Sequence, residues 1–331
     1  MTNNQETKNN ASSVNESVAD TVAVSNGVNT HEKIAVVTGG AGFIGSHLTA
    51  ALLADGYVVR VVDNVSGGKR ENVPKEAVFF EQNVQDTAAL VKVMVGAEFV
   101  FHLAALPRVQ YSIEHPIETN KENVDGTVSV LKAAQDTGVS RVIYSASSGA
   151  YGDQSIMPLT EDMKANPKSP YALQKYIGEL YCRLWSEMYG LQTVSLRYFN
   201  VYGPGASAEG AYALVIAKFL EQRSLGGPMT ITGDGMQTRD FTHVRDVVRA
   251  NILSAHSQKV GKGEVINIGS GRNISVSRVA ELIGGPIEHI ASRLEPHDTL
   301  ADNTRAKALL GWEPTVSFEE GIAELKKEFS L

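Results

Sequence analysis

From residue 33 onward, short apolar runs alternate with stretches whose apolar positions recur every three or four residues. The runs at 34–38, 58–63, 78–81, 99–103, 142–147 and 193–198 predict strands, and 43–55, 86–95, 118–137 and 170–189 predict amphipathic helices. Several strands are apolar throughout instead of alternating. That pattern predicts a parallel sheet covered by helices on both faces, the doubly wound α/β class. Past residue 200 the rhythm loosens and turn signals thicken at Gly203-Pro204-Gly205, Gly226-Gly227-Pro228 and Gly284-Gly285-Pro286. We therefore expect a sheet domain from 33–196 and 236–266 and a smaller C-terminal α/β lobe from 197–235 and 267–331. Residues 1–32, rich in Asn, Ser and Thr with no aromatic residue, predict a disordered tail.

Composition narrows the classes. Of 331 residues, 43% are hydrophobic and 20% charged, an ordinary globular balance. The net charge of −7, with no dense Lys/Arg cluster, argues against a nucleic-acid partner. A lone cysteine, Cys182, precludes an intrachain disulfide framework and suits a reducing cytoplasm. No apolar run approaches the roughly 18 residues of a membrane span, and no metal-ligand set is expected.

The chemistry begins at "KIAVVTGGAGFIGSHLTAALLADG", residues 33–56. Gly39, Gly42 and Gly45 fall between a predicted strand and a predicted helix. A turn there needs one residue free of steric limits, bare backbone that can approach a phosphate, and room for helix against strand. The helix starting near Phe43 and Ile44 aims unpaired N–H groups at that point, which favours a pyrophosphate. Asp63 follows 18 residues after Gly45, at the end of the next strand. An acid there hydrogen-bonds ribose hydroxyls and repels a 2′-phosphate, so the expected dinucleotide is NAD.

"SPYALQK", residues 169–175, supplies an N-cap (Ser169), a proline at the first helical position and then Tyr171 and Lys175 one turn apart on one face. A phenol is a poor base at neutral pH, and the nearby ammonium, the positive helix end and a nicotinamide cation are expected to lower its pKa. Upstream, "VIYSASSGAYG" ends a strand in small hydroxyl residues, which places Ser145, Ser147 and Ser148 near the ligand crevice.

Together these pieces resemble the extended short-chain dehydrogenase/reductases, in particular NAD-dependent nucleotide-sugar 4-epimerases of the UDP-glucose/UDP-N-acetylglucosamine type. The resemblance runs from about Lys33 to the C-terminus. It rests on "TGGAGFIGSH" (38–47), "DNVSGG" (63–68), "HLAA" (102–105), "SPYALQK" (169–175), "LRYFNVYGPG" (196–205), "GDGMQTRDF" (233–241) and "LADNTRAKALLGWEP" (300–314).

The resemblance implies a Rossmann-type fold, Tyr171 as base, Lys175 on the nicotinamide ribose and Ser147, four residues before Tyr151, as proton shuttle. It also implies cofactor contacts from Asn64, Ser66, Gly68, Leu103, Ala104, Ala105 and Tyr198. Asn83-Val84 stands where the family usually has Asp-Val beside the adenine. Ser147, Ser148, Asn200, Ala211, Tyr212, Val215, Arg239 and Arg293 would line the nucleotide-sugar site. Thr299, small where strict UDP-galactose enzymes are bulky, would admit an N-acetyl group. The acids that dehydratases and some decarboxylases carry just after the catalytic Ser/Thr are Ser148 and Gly149 here, and Cys182 lies too far along its helix to be the base of a 3,5-epimerase. C4 epimerisation of a UDP-hexose is therefore the expected activity. Another nucleotide-sugar enzyme of the same fold, or a non-catalytic dinucleotide binder, stands as the alternative. A homodimer through the helices 118–137 and 170–189 is implied as well.

Overall fold

The computed structural model describes residues 32–207, 215–291 and 298–331. Tail residues 1–31, together with Ala211, Tyr212 and Arg293, lie outside the described residues. Six strands open the chain: β1 (Ile34–Thr38), β2 (Val58–Asp63), β3 (Val78–Glu81), β4 (Phe99–His102), β5 (Arg141–Ser147) and β6 (Gln192–Tyr198). Shorter strands follow: β7 (Val201–Tyr202), β8 (Met229–Thr232), β9 (Thr238–Asp240) and β10 (Thr242–His243). The long β11 (Lys262–Ile268) precedes β12 (Asn273–Ser275) and β13 (Ile287–Ile290).

The main sheet has seven strands in the order β11-β6-β5-β4-β1-β2-β3, every neighbouring pair parallel. Helices α1 (Phe43–Ala54), α2 (Thr87–Met94), α3 (Val109–Glu114), α4 (Pro116–Asn120), α5 (Gly126–Thr137) and α6 (Pro170–Tyr189) provide the crossovers. Two further helices, α7 (Val215–Ser224) and α8 (Val244–His256), follow β7 and β10.

Strand periodicity places the two cores. Neighbours on β1 point to opposite faces, so Val36 and Val37 enter different clusters. Val37, Val61, Phe101 and Leu196 pack with Leu48 and Leu52 of α1 and Val247 of α8. Val36, Val62, Val100 and Tyr144 pack with Leu90 of α2, Leu131 of α5 and Cys182 and Trp185 of α6. A third cluster gathers Tyr202, Phe219, Met229, Phe241, Val279, Phe318 and Ile322 from the chain after residue 200.

The predicted elements recur with small shifts. The strand expected over 99–103 ends at His102, and the helix expected over 118–137 starts at Pro116 and carries a π-helical turn at Lys121–Asp125. In that turn the Asn123 side chain bonds the backbone of Leu106 and the amide of Gln174, ties that the sequence pattern does not reveal. Among the described residues no helix is long and apolar enough to cross a membrane.

Candidate active site

Strand order reverses between the parallel neighbours β1 and β4: β2 and β3 lie to one side, β5, β6 and β11 to the other. In open α/β sheets a ligand crevice forms at the carboxyl ends of such a pair. Here the crevice is floored by the loops after both strands, joined where Leu103 N–H donates to the carbonyl of Thr38 at 3.1 Å. Ala104 N–H donates to the Thr38 hydroxyl at 3.3 Å, and Ala105 follows, partly buried.

Gly39 takes a φ of +73° and passes so close to this loop that a Cβ would stand 2.6 Å from the amide nitrogen of Ala104. A Cβ on Gly45 would stand 2.1 Å from the carbonyl oxygen of Gly39, so α1 lies on the turn only because that position is bare. Gly42 is the N-cap of α1, and no side chain caps the helix. The first-turn N–H groups of Phe43, Ile44 and Gly45 therefore face the crevice with the positive dipole end and no capping oxygen, which fits a dinucleotide's pyrophosphate.

Asp63, buried at the end of β2, accepts from Ala41 N–H at 2.9 Å and Val65 N–H at 2.8 Å, fixing the glycine turn to the second strand. Asn64 accepts from both the backbone and the hydroxyl of Ser66. Gly68 closes on the turn, where a Cβ would lie 2.5 Å from the Ala41 carbonyl. Val84 is buried against the helix-side core. The Asn83 amide donates to Glu122 at 2.9 Å, as does Gln85 at 2.8 Å. Glu122, unmarked by the sequence reading, thus brings a carboxylate next to the position where Asn stands for the usual Asp.

Ser169 caps α6 by accepting from Ala172 N–H at 3.2 Å, with Pro170 in the first turn. Tyr171 follows, its N–H donating to the Ser112 hydroxyl at 3.0 Å. Its phenol lies toward Ser147 at the end of β5, close enough for that side chain to favour the phenolate form. Ser147 accepts from Gly149 N–H at 3.1 Å. Ser148, partly buried, opens the short 3-10 turn after β5. Lys175 is buried and donates to the carbonyl of Ser145 at 2.8 Å, with Nζ 5.0 Å from the centre of the Tyr144 ring.

The electrostatics correct one expectation. Burial pushes the Tyr171 phenol up to about 12, a rise only partly offset by Ser147, rather than down. Burial lowers Lys175 to about 8. In the protein alone, desolvation outweighs the help that the helix end and the lysine were expected to give. His102 is driven to about 3 by burial and by Lys175, so it is a neutral imidazole bridging Thr38 and Thr127. Cys182 is fully buried and burial raises its thiol to about 12, a packing residue with little thiolate character. Tyr198 turns its hydroxyl into α8, on Asn251, so only its ring and backbone remain for the crevice.

At the end of β9, Asp240 gathers several of the residues expected to line the nucleotide-sugar site. Its buried carboxylate accepts from Ser270 N–H and hydroxyl, from Gly271 N–H at 3.0 Å and from Ala301 N–H at 3.0 Å. Its carbonyl accepts from the Asn200 amide at 2.9 Å and its N–H donates to the Thr299 hydroxyl at 3.2 Å. Asn200 (φ +30°) and Thr299 thus meet over β9, beside Arg239, whose guanidinium reaches the Thr238 carbonyl at 3.0 Å. Val215 starts α7, packed on the third core. Among the described residues no cluster of three or more His, Cys, Asp or Glu is placed to hold a metal ion.

A sequence model of the NAD dependent epimerase/dehydratase family matches residues 35–269. The chain belongs to this family. A UDP-glucose 4-epimerase of Mycolicibacterium smegmatis is 37% identical over 308 residues, covering 89% of this chain and 97% of that one. Two solved structures are similar. UDP-glucose 4-epimerase of Thermotoga maritima with UDP-glucose is 39% identical with a TM-score of 0.85, covering 90% of this chain and 98% of that chain. A UDP-N-acetylglucosamine 4-epimerase of Methanobrevibacter ruminantium, in complex with UDP-N-acetylmuramic acid, is 37% identical with a TM-score of 0.86 and the same coverages. In this NAD-dependent epimerase/dehydratase, Asp63 holds the glycine turn to β2 and Lys175 ties the start of α6 to the end of β5.

Proposed function

We infer that the chain catalyses NAD-dependent C4 epimerisation of a UDP-hexose, interconverting UDP-glucose and UDP-galactose, with the N-acetylated pair as further substrates. The observation that carries this reading is that Ser147, at the end of β5, acts on the Tyr171 phenol while the next two residues are Ser148 and Gly149, not acids. A Cβ at Gly149 would stand 3.3 Å from both the Ala172 Cβ and the Ser147 hydroxyl, so that position is cramped for an acid that would expel a hydroxyl or assist decarboxylation.

NAD, held by the glycine turn and Asp63, would supply a reversible hydride acceptor for C4 of the sugar. Tyr171, directly or through Ser147, removes the O4 proton and later gives it back. Lys175, as a cation, holds the ribose and favours phenolate. The glycine turn with Phe43 and Ile44 holds the pyrophosphate, and Asp63 takes a ribose. Around them, Asn64, Ser66, Gly68, Asn83, Val84, Leu103, Ala104, Ala105 and Tyr198 complete the cofactor wall. Asn200 and Arg239 grip the nucleotide diphosphate, for which guanidinium is apt. Val215, at the start of α7, covers the uridine, while Ser148 and Thr299 face the sugar.

A homodimer fits the exposed apolar face of α6, where Leu173, Leu180, Leu184 and Met188 emerge at helical spacing near Ile113 and Ile117. Incubation of the purified protein with UDP-galactose tests the activity. Appearance of UDP-glucose without net NADH supports it, and no conversion of any UDP-hexose overturns it.

A further inference from the structure

Behind the Tyr171/Lys175 pair lies a buried ion pair that the reaction as described does not use. Glu179 follows Lys175 by four residues, hence one turn along the same face of α6. Its carboxylate accepts two hydrogen bonds from Arg197 of β6, at 2.9 Å from Nε and 2.7 Å from Nη2, with both side chains at most 4% exposed. The Arg197 guanidinium lies 4.5 Å from the centre of the Tyr151 ring, and the Tyr151 hydroxyl donates to Asn267 of β11 at 2.7 Å. Its Nη1 is buried without a hydrogen-bond partner. Two charges so far from water are costly to hold, and an apolar pair of similar size often serves stability better. Their position beside a buried ammonium gives them another use.

We propose that Glu179, oriented by Arg197, is a positioning residue that keeps Lys175 cationic and fixed on the Ser145 carbonyl. Among the groups facing Lys175, Glu179 brings the carboxylate; burial pushes it up, while the two bonds from Arg197 and the charge of Lys175 itself favour its ionised form. On α6 the others are Tyr171 and Cys182, both protonated in the neutral range. On β5 they are the Tyr144 ring and the Ser145 carbonyl, and on β4 the neutral His102. On β6, Arg197 is a second cation whose charge is spent on Glu179. Gly178, one residue before Glu179, packs on the Tyr144 hydroxyl so tightly that a Cβ would stand 2.2 Å from it, which holds this turn of α6 against β5. Burial lowers Lys175, and the neighbouring Cys182 and then Glu179 oppose that fall; of these two, Cys182 is held protonated by burial, which leaves Glu179 to act as an anion in the neutral range.

The inference rests on the epimerase reading for the use of Lys175, but its test does not depend on turnover. Full-length protein carrying 13C-labelled lysine is titrated by NMR, and the Lys175 signal is assigned by its loss in Lys175→Arg. In the wild type the midpoint is expected at or above neutrality, and a midpoint clearly below pH 7 overturns the proposal. In Glu179→Gln the midpoint is expected to fall by about one pH unit, and in Glu179→Asp to recover most of that fall. An unchanged midpoint in Glu179→Gln overturns the proposal, since a merely structural pair would leave Lys175 where it was. Because Glu179→Gln leaves Arg197 a buried cation without its partner, the paired variant Glu179→Gln with Arg197→Gln is titrated as well. It is expected to show a downward shift too, smaller because a buried cation has gone with the anion, and no shift in that variant also overturns the proposal. Conversion of UDP-galactose by the wild type, measured separately, reports on the epimerase reading alone.

Discussion

The ammonium of Lys175 stands 2.8 Å from the carbonyl oxygen of Ser145, two residues before Ser147 on the same strand. That bond ties α6 to the end of β5 and so sets the distance between the Tyr171 hydroxyl and the serine beside it. The site is a product of helix-on-strand packing, with each reacting group on a rigid element.

Tyr171→Phe is expected to lower kcat for UDP-galactose by a factor of about 10²–10⁴, the range for loss of a positioned acid/base. Cofactor retention, read from the nucleotide released on denaturation, is expected to be unchanged, because the glycine turn is untouched. Turnover within a few-fold of wild type would remove Tyr171 from the chemistry.

Lys175 supplies a signed pH effect. Its folded value, about 8, lies below that of free lysine, so burial disfavours the cation in the fold. The cost to stability is fully present below about pH 8 and is relieved as the pH rises from there toward 10.5. The Tyr171 phenol, held near 12, acts in the opposite sense: its contribution is lost as the pH rises from 10 through 12. Urea midpoints of wild type and Lys175→Met are therefore expected to differ most at pH 7 and to converge by pH 10. A constant gap would mean that the ammonium is not desolvated in the fold.

Gly45→Ala forces a methyl group to within 2.1 Å of the Gly39 carbonyl. Overpacking of this kind costs about 1–3 kcal/mol, a fall of roughly 5 °C in Tm for a chain of this size. NAD binding, followed by calorimetry, is expected to weaken with it. A variant with wild-type Tm and affinity would show that the turn can open without cost.

Thr299 sits on the Asp240 N–H and the Asn200 amide, inside the group that Asp240 gathers. Thr299→Tyr is expected to lower kcat/KM for UDP-N-acetylglucosamine more than for UDP-glucose, and an unchanged ratio would remove this position from specificity. Asp240→Asn cannot accept all the donors that converge on the carboxylate, so a raised KM for both sugars is expected.

Much of this was legible in the chain. The strand, glycine turn and helix of 34–54 are written locally, as is the Ser169-Pro170 start of α6, because turn and cap chemistry act over a few residues. What stayed hidden joins distant positions. Asp240 meets Ala301 across 61 residues and Arg197 meets Glu179 across 18, and neither contact leaves a periodic mark. The direction of the Tyr171 shift in the protein without cofactor is hidden for a similar reason: neighbouring charges can be read from spacing, but depth of burial depends on how α6 closes on β5.

The central claim is tested most directly by following purified protein, with NAD, on UDP-galactose by proton NMR of the anomeric signals. The account predicts an equilibrium mixture of UDP-galactose and UDP-glucose with no accumulation of NADH. An unchanged UDP-galactose spectrum, or release of an oxidised sugar nucleotide with stoichiometric NADH, would contradict it.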